Sequence, residues 1–296
     1  MISLIGRQIA EAANLIERAL ASVLPNQDGA ESRLFEAMRY GSLGGGKRLR
    51  PFLVLESAKL FGVNPDCALR VAVALEMIHC YSLIHDDLPA MDDGTLRRGK
   101  PTVHLQYDQA TAVLAGDGLL TQAFEVLASP QTHEDPHIRC ALVTALARAA
   151  GPRGMVAGQM LDMVAREQAL DIGAITRLQR LKTGELMAFS CESGAILGRA
   201  SPSWRQALLA YAHDLGLAFQ MTDDLLDAEG REEDTGKNTG RDEQSGKATF
   251  VSILGIDRAR AQTRMLADQA CKHLDTFGDR AATLKSLARH VVERRA

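Results

Sequence analysis

Aromatic residues make up only 4% of this 296-residue chain, and clean polar–apolar alternation is rare. Strands favour aromatic and β-branched side chains, whereas the plentiful Ala, Leu and Met favour helices, so the fold class reads as all-α. Cysteine is sparse too: Cys67, Cys80, Cys140, Cys191 and Cys271 are scattered, and no CxxC spacing occurs. That excludes a disulfide framework or a cysteine zinc site and suits reduced thiols in the cytoplasm. The net charge of −3, with no basic run interleaved with aromatics, gives no footprint for nucleic acid or an anionic membrane. No uncharged apolar run reaches the length of a membrane span. The N-terminal stretch, MISLIGRQIAEAANLIERAL, carries Arg7, Glu11, Glu17 and Arg18, so it is neither a signal peptide nor a span.

Hydrophobic residues make up 46% and charged residues 24%, enough for a sizeable core. Apolar periodicity near that of a helix predicts helical segments over 5–23, 31–42, 51–61, 68–86, 108–128, 137–150, 173–197, 204–227 and 248–293, the last with internal breaks. Gly, Pro, Asn or Ser punctuate them, as in FGVNPD (61–66) and AAGPRG (149–154). No linker or compositional shift divides the chain, so one domain over 1–296 is expected. Residues 229–247, EGREEDTGKNTGRDEQSGK, hold no large apolar residue and read either as a solvated loop or as an active-site lid.

Two carboxylate clusters each close an apolar stretch. HDDLPAMDDG holds Asp86, Asp87, Asp92 and Asp93; QMTDDLLD holds Asp223, Asp224 and Asp227. Neighbouring carboxylates on a mostly buried helix repel one another and resist ionisation, and a bound cation relieves that cost. Asp223 and Asp227 are one helical turn apart and share a face. In the first cluster an unbroken helix would bring Asp93 over Asp86, but Pro89 makes it doubtful, leaving Asp92 and Asp93 as alternatives. Oxygen-only ligation points to Mg²⁺ shared with substrate phosphates; neither cluster has the EF-hand pattern.

Basic residues lie near the breaks. GGGKRLRP (44–51) places Gly46, Lys47, Arg48 and Arg50 after a glycine run and before a helix, a plausible phosphate cradle. It is not a P-loop, because Arg48 follows Lys47 where that motif needs Ser or Thr. TLRRGKPTVH supplies Arg97 and Arg98, RLKTGEL supplies Lys182 and Thr183, and the polar loop supplies Lys237 and Lys247. His79, seven before Asp86, and Gln220, three before Asp223, are further candidates, although a lone helical histidine is more often a core residue.

These blocks, with GQMLD (158–162) and GKATFVSILG, resemble bacterial short-chain isoprenyl diphosphate synthases in the same order from about residue 34 to residue 255. The resemblance implies a large antiparallel helix bundle around a central active-site cavity, homodimeric. It also implies a cytoplasmic prenyltransferase whose partners are small diphosphates, with neither nucleic acid nor membrane. Isopentenyl diphosphate would condense with dimethylallyl or geranyl diphosphate to give farnesyl diphosphate. By the same resemblance, Asp86, Asp92 and Asp223, supported by Asp87, Asp224 and Asp227, would hold two to three Mg²⁺ ions with substrate. Arg97, Lys182, Thr183, Gln220, Lys237 and Lys247 match the allylic-diphosphate side, with Asp86, Asp92, Arg97, Lys182, Asp223 and Lys237 carrying catalysis. Gly46, Lys47, Arg50, His79 and Arg98 match the isopentenyl-diphosphate side.

Gly94 departs from the third Asp or Asn that many relatives carry, and Phe250 replaces a common Tyr. Tyr81 and Ser82, five and four before the first Asp, match the family's pocket floor; bulky Tyr81 favours a C15 product. The alternatives are a C20-forming synthase and a non-catalytic modulatory subunit, which usually loses one Asp-rich motif. A terpene cyclase or a head-to-head synthase lacks the Lys47/Arg50 block.

Overall fold

The structure is a computed structural model that describes residues 3–165, 170–229 and 249–293. The described residues are all-α apart from one short hairpin. The chain forms two compact units, Met1–Thr144 with Ile196–Gly198 and Ala145–Ala195 with Arg199–Ala296. Two of their three boundaries fall inside α7 (Pro136–Ala150) and α10 (Glu185–Leu197), and the third follows the end of α10.

In the first unit α4 (Pro65–Asp86) packs against α1 (Leu4–Val23), α2 (Ser32–Ser42), α3 (Leu49–Lys59) and α6 (Gln109–Ala128). Residues 71–78 are buried all round, the signature of a central core helix. By length and apolarity α4 could cross a membrane, but 67% of its most apolar window is already buried inside the protein. Asn64 caps it, its side chain accepting from the Asp66 N–H at 2.9 Å, and Pro65 occupies the first turn, where no backbone donor is needed. Asp108 caps α6 in the same way through the Thr111 N–H at 2.7 Å.

The sequence shows no sheet, yet β1 (Leu96–Arg97) and β2 (Lys100–Pro101) pair antiparallel. Two residues per strand are too few for alternation to register. The turn residues Arg98 (φ 54°) and Gly99 (φ 75°) are both left-handed, the geometry that matches strand twist in a two-residue hairpin. A single helical turn, α5 (Val103–Gln106), leads from the hairpin to α6.

In the second unit α11 (Pro202–Glu229) is the central helix, packed on α12 (Phe250–Leu254), α13 (Ile256–His273) and α14 (Ala282–Glu293). Tyr211 of α11 is fully buried and donates to the Leu284 carbonyl at 2.8 Å. A 3₁₀ segment, Asp275–Ala281, joins α13 to α14. Two features differ from the periodicity. α8 (Met155–Val164) was not expected; Val156, Met160 and Val164 are exposed while Gly158 and Asp162 are buried, so its apolar pattern does not mark the inward face. The expected helix 173–197 is α9 (Ile172–Gln179) and α10 joined by a π turn over Arg180–Gly184.

Glycine permits this joint. A Cβ on Gly158 would lie 2.2 Å from the Lys182 amide nitrogen and 2.5 Å from its Cα, so α8 rests directly on the π-turn backbone. Backbone cannot yield as a flexible side chain can. Gly158→Ala is therefore expected to destabilise the protein by about 1–3 kcal/mol, read as a lower urea midpoint in an equilibrium unfolding curve. An unchanged midpoint would show that the two segments separate without cost.

Candidate active site: carboxylate pairs and their cations

The helix α4 stops at Asp86, with Asp87 as its C-cap and Pro89 two residues on. The chain then folds back. The Asp92 N–H donates to the Asp86 carbonyl at 2.9 Å, Asp93 to Leu88 at 3.1 Å, and Gly94 to Asp87 at 3.2 Å. The backbone of Asp92, not that of Asp93, is thus bonded to Asp86. Asp93 adopts φ 48°, a conformation asparagine and aspartate tolerate better than most residues.

The two adjacent aspartates differ in surroundings. Asp86 is half-buried, whereas Asp87 is 3% exposed. Both Asp87 oxygens are engaged by one guanidinium: Arg97 Nε donates to Oδ2 at 2.6 Å and Nη2 to Oδ1 at 2.7 Å. Such a bidentate pair fixes orientation as well as charge. Burial opposes the Arg97 charge, but Asp87 and then Asp86 and Asp92 outweigh it and keep Arg97 protonated. Gly94 lies beside this pair: a Cβ there would approach Asp87 Oδ1 to 2.6 Å.

The second cluster repeats the division. Asp223 and Asp227 are half-buried on one face of α11, while Asp224 is 5% exposed. Asp224 Oδ1 accepts from Gln220 Nε2 at 3.1 Å, and Oδ2 from the Phe250 N–H at 2.9 Å, which ties α11 to the start of α12. Gln220 is therefore bonded to the second aspartate of the cluster. Lys182, on the π turn, donates to Asp162 Oδ2 at 2.6 Å, and Thr183 beside it is buried. A π turn inserted in a helix often marks a functional position, and here it carries both candidates. Lys237, Lys247 and the polar loop 229–247, except Glu229, lie outside the described residues.

In the glycine-rich loop, Gly44, Gly45 and Gly46 all have positive φ (97°, 105° and 120°), which glycine alone adopts freely. A Cβ on Gly46 would lie 3.0 Å from the Arg98 guanidinium carbon, so the glycine loop and the hairpin turn touch. Lys47 is exposed and Arg50 half-buried. His79 faces this cationic group: burial, then Arg50, Arg98, Arg48 and Arg97, hold its ring well below the usual histidine pKa. Lys100, which the sequence reading passed over, lines a cleft with Gly44, Asp87, Arg97 and Arg98, and lies 6.0 Å over the Tyr40 ring. Its signal was the lysine inside TLRRGKP.

Tyr81 is 8% exposed, and its hydroxyl is pushed up to about 12 by burial and by Asp86. Its ring packs edge-on against His85 at 5.7 Å, and His85 Nε2 lies 3.0 Å from the Val113 carbonyl of α6. Ser82 instead donates back to the His79 carbonyl at 2.9 Å, within its own helix.

Arginines gathered around a histidine, with the Asp86–Asp87 pair beside Arg97, give this helical protein a surface whose chemistry suits a polyanion. Among the described residues no three carboxylate, histidine or cysteine side chains are preassembled for a metal. Pairs of carboxylates do fit Mg²⁺, which keeps other sites for phosphate and water.

The polyprenyl synthetase family model matches residues 31–286. The chain is 43% identical to farnesyl diphosphate synthase of Geobacillus stearothermophilus, over 89% of each chain. It is 42% identical to farnesyl diphosphate synthase of Escherichia coli K12, over 88% of each. The crystal structure of an FPP/GFPP synthase from Zymomonas mobilis, in its apo form, aligns with a TM-score of 0.90 at 49% identity, covering 99% of this chain and 100% of that one. The chain belongs to the polyprenyl synthetase family.

The depressed His79 has a consequence for stability. Because its folded pKa lies below the unfolded value of about 6.5, the unfolded chain binds the extra proton in the window between them. Stability is thus complete above pH 6.5 and falls as the pH drops below it. Urea unfolding at pH 7.0 and 5.0 should show this loss, reduced in His79→Asn; an identical slope in the variant would place the ring elsewhere.

Proposed function

We propose that this protein is a prenyltransferase that condenses isopentenyl diphosphate with dimethylallyl and then geranyl diphosphate, releasing diphosphate and giving farnesyl diphosphate. The observation that carries the reading is the Asp87–Arg97 clamp, which aims a fixed cation beside Asp86 and Asp92. Asp162 orients Lys182 in the same manner. Arg97 and Lys182, with Thr183, Gln220 and Lys237, bind the allylic diphosphate. Gly46, Lys47, Arg50, His79 and Arg98 bind isopentenyl diphosphate, and Lys247 acts on the allylic-diphosphate side.

Charge fixed before the reaction is worth more than charge recruited during it, because no reorganisation accompanies bond breaking. Arg97 and Lys182 stabilise the departing diphosphate as the allylic C1–O bond breaks. The isopentenyl double bond then attacks the allylic cation, and a proton leaves to the released diphosphate, so no side-chain base is required. Asp86, Asp92 and Asp223 are the proposed Mg²⁺ ligands, with Asp87, Asp224 and Asp227 in support. Two to three bound ions would supply further positive charge to the leaving group. Tyr81, braced by His85, closes the pocket for the growing chain. We place the enzyme in the cytoplasm as a homodimer.

Product sizing after incubation with Mg²⁺, isopentenyl diphosphate and geranyl diphosphate tests the reading. A C15 product is expected, with Asp86→Ala and Asp223→Ala each lowering kcat/KM by about a hundredfold or more. Full activity in both variants would refute the assignment. Tyr81→Ala should shift the product to C20 or longer; an unchanged C15 product would move the floor to another residue.

A further inference from the structure

We infer that Glu17, in helix α1 and before the first residue of the family match, is a positioning residue for the diphosphate-binding loop 43–48. It would act through Arg48.

The loop contains three consecutive glycines with positive φ, so its backbone has little intrinsic preference for one shape. Arg48 then takes a left-handed conformation itself (φ 45°, ψ 38°), unfavourable for a residue with a side chain. Such a conformation persists where the surroundings determine it, often next to a functional site. Here the determinant is a buried charge cluster. The Arg48 side chain is 1% exposed and pairs with Glu76 of α4, itself 2% exposed. Its Nη2 donates at 2.6 Å both to Glu17 Oε2 and to the Ser42 carbonyl. The guanidinium therefore bridges the end of α2 and the start of α3, closing the loop around itself.

Glu17 completes the closure from the other side. Its Oε1 accepts from the Gly44 N–H at 2.5 Å while Oε2 holds Arg48. One carboxylate thus pins the entry and the exit of the loop. Burial would raise its pKa, but the Gly44 N–H and Arg48 more than offset this, and Glu17 stays ionised. Arg48 is likewise held charged, burial being overcome by Glu76. With entry and exit fixed, Gly46 rests against Arg98, and Lys47 and Arg50 flank the anchored Arg48 in sequence.

Glu76 and Arg48 are too deeply buried to remove without endangering the fold, as an unpaired interior charge is costly. Glu17 is different: its side chain is 32% exposed, so its loss leaves the Arg48–Glu76 pair in place. The loop then loses its fixed shape and the protein keeps its core. The inference rests on the assignment of Lys47 and Arg50 to isopentenyl diphosphate, and the test separates the two.

Steady-state kinetics on Glu17→Ala, Glu17→Gln and Lys47→Ala decide it, each substrate varied at saturation of the other. Glu17→Ala should raise the KM for isopentenyl diphosphate about tenfold, leaving kcat and the KM for geranyl diphosphate within about twofold. Glu17→Gln keeps an acceptor for Gly44 but loses the charge on Arg48, and should fall between wild type and Glu17→Ala. A purely structural role would lower the unfolding midpoint without this split between substrates. If Lys47→Ala raises the KM and both Glu17 variants do not, the clamp is wrong and the site assignment stands. If none of the three raises it, both are wrong.

Discussion

Two adjacent aspartates on the buried end of a helix repel one another, and separate hydrogen-bonding or charged partners relieve that cost. The structure meets this constraint twice by giving the two members of each pair different partners. Asp87 is turned inward onto Arg97 and Asp224 onto Gln220 and the Phe250 amide, while Asp86 and Asp223 stay half-buried. The inward member spends its charge on local order. It fixes a guanidinium in one case and the junction of two helices in the other. The half-buried member is the one proposed to meet a cation that arrives with substrate.

The cations follow a similar rule. Arg97, Lys182 and Arg48 are each held by a carboxylate from elsewhere in the sequence: Asp87, Asp162, and Glu76 with Glu17. A side chain as long as arginine or lysine loses considerable rotamer entropy when it binds a ligand. An ion pair made during folding removes part of that loss from the binding step. His79 has the opposite environment, with arginines around it, and stays neutral in the absence of an anion. A diphosphate entering there would relieve repulsion among cations already in place.

Much of this was legible in the sequence, for reasons that can be named. Scarce aromatics and helical periodicity gave the all-α class, and the shared face of Asp223 and Asp227 needed only a helical pitch. Spacing left Asp92 and Asp93 as alternatives, because the turn after Pro89, in which the Asp92 N–H bonds the Asp86 carbonyl, is not encoded in spacing. The inward roles of Asp87 and Asp224 were hidden as well. Their partners Arg97 and Phe250 lie 10 and 26 residues away, and adjacent aspartates look alike in a string of letters. GQMLD was visible as a motif, yet Asp162 became meaningful only when Lys182 was seen beside it. Glu17 looked like one charge among several on an amphipathic helix. Helix α8 was lost because its exposed Val156, Met160 and Val164 break the usual apolar-inside pattern.

The division of labour within each aspartate pair is most directly tested by a crystal structure with Mn²⁺ and diphosphate, using anomalous scattering to locate the metal. The account predicts Mn²⁺ bound by oxygens of Asp86 and Asp92 and by Asp223, with the Asp87–Arg97 pair and the Asp224–Phe250 bond intact. Mn²⁺ held directly by Asp87 or Asp224, with Arg97 or the Phe250 amide released, would contradict it.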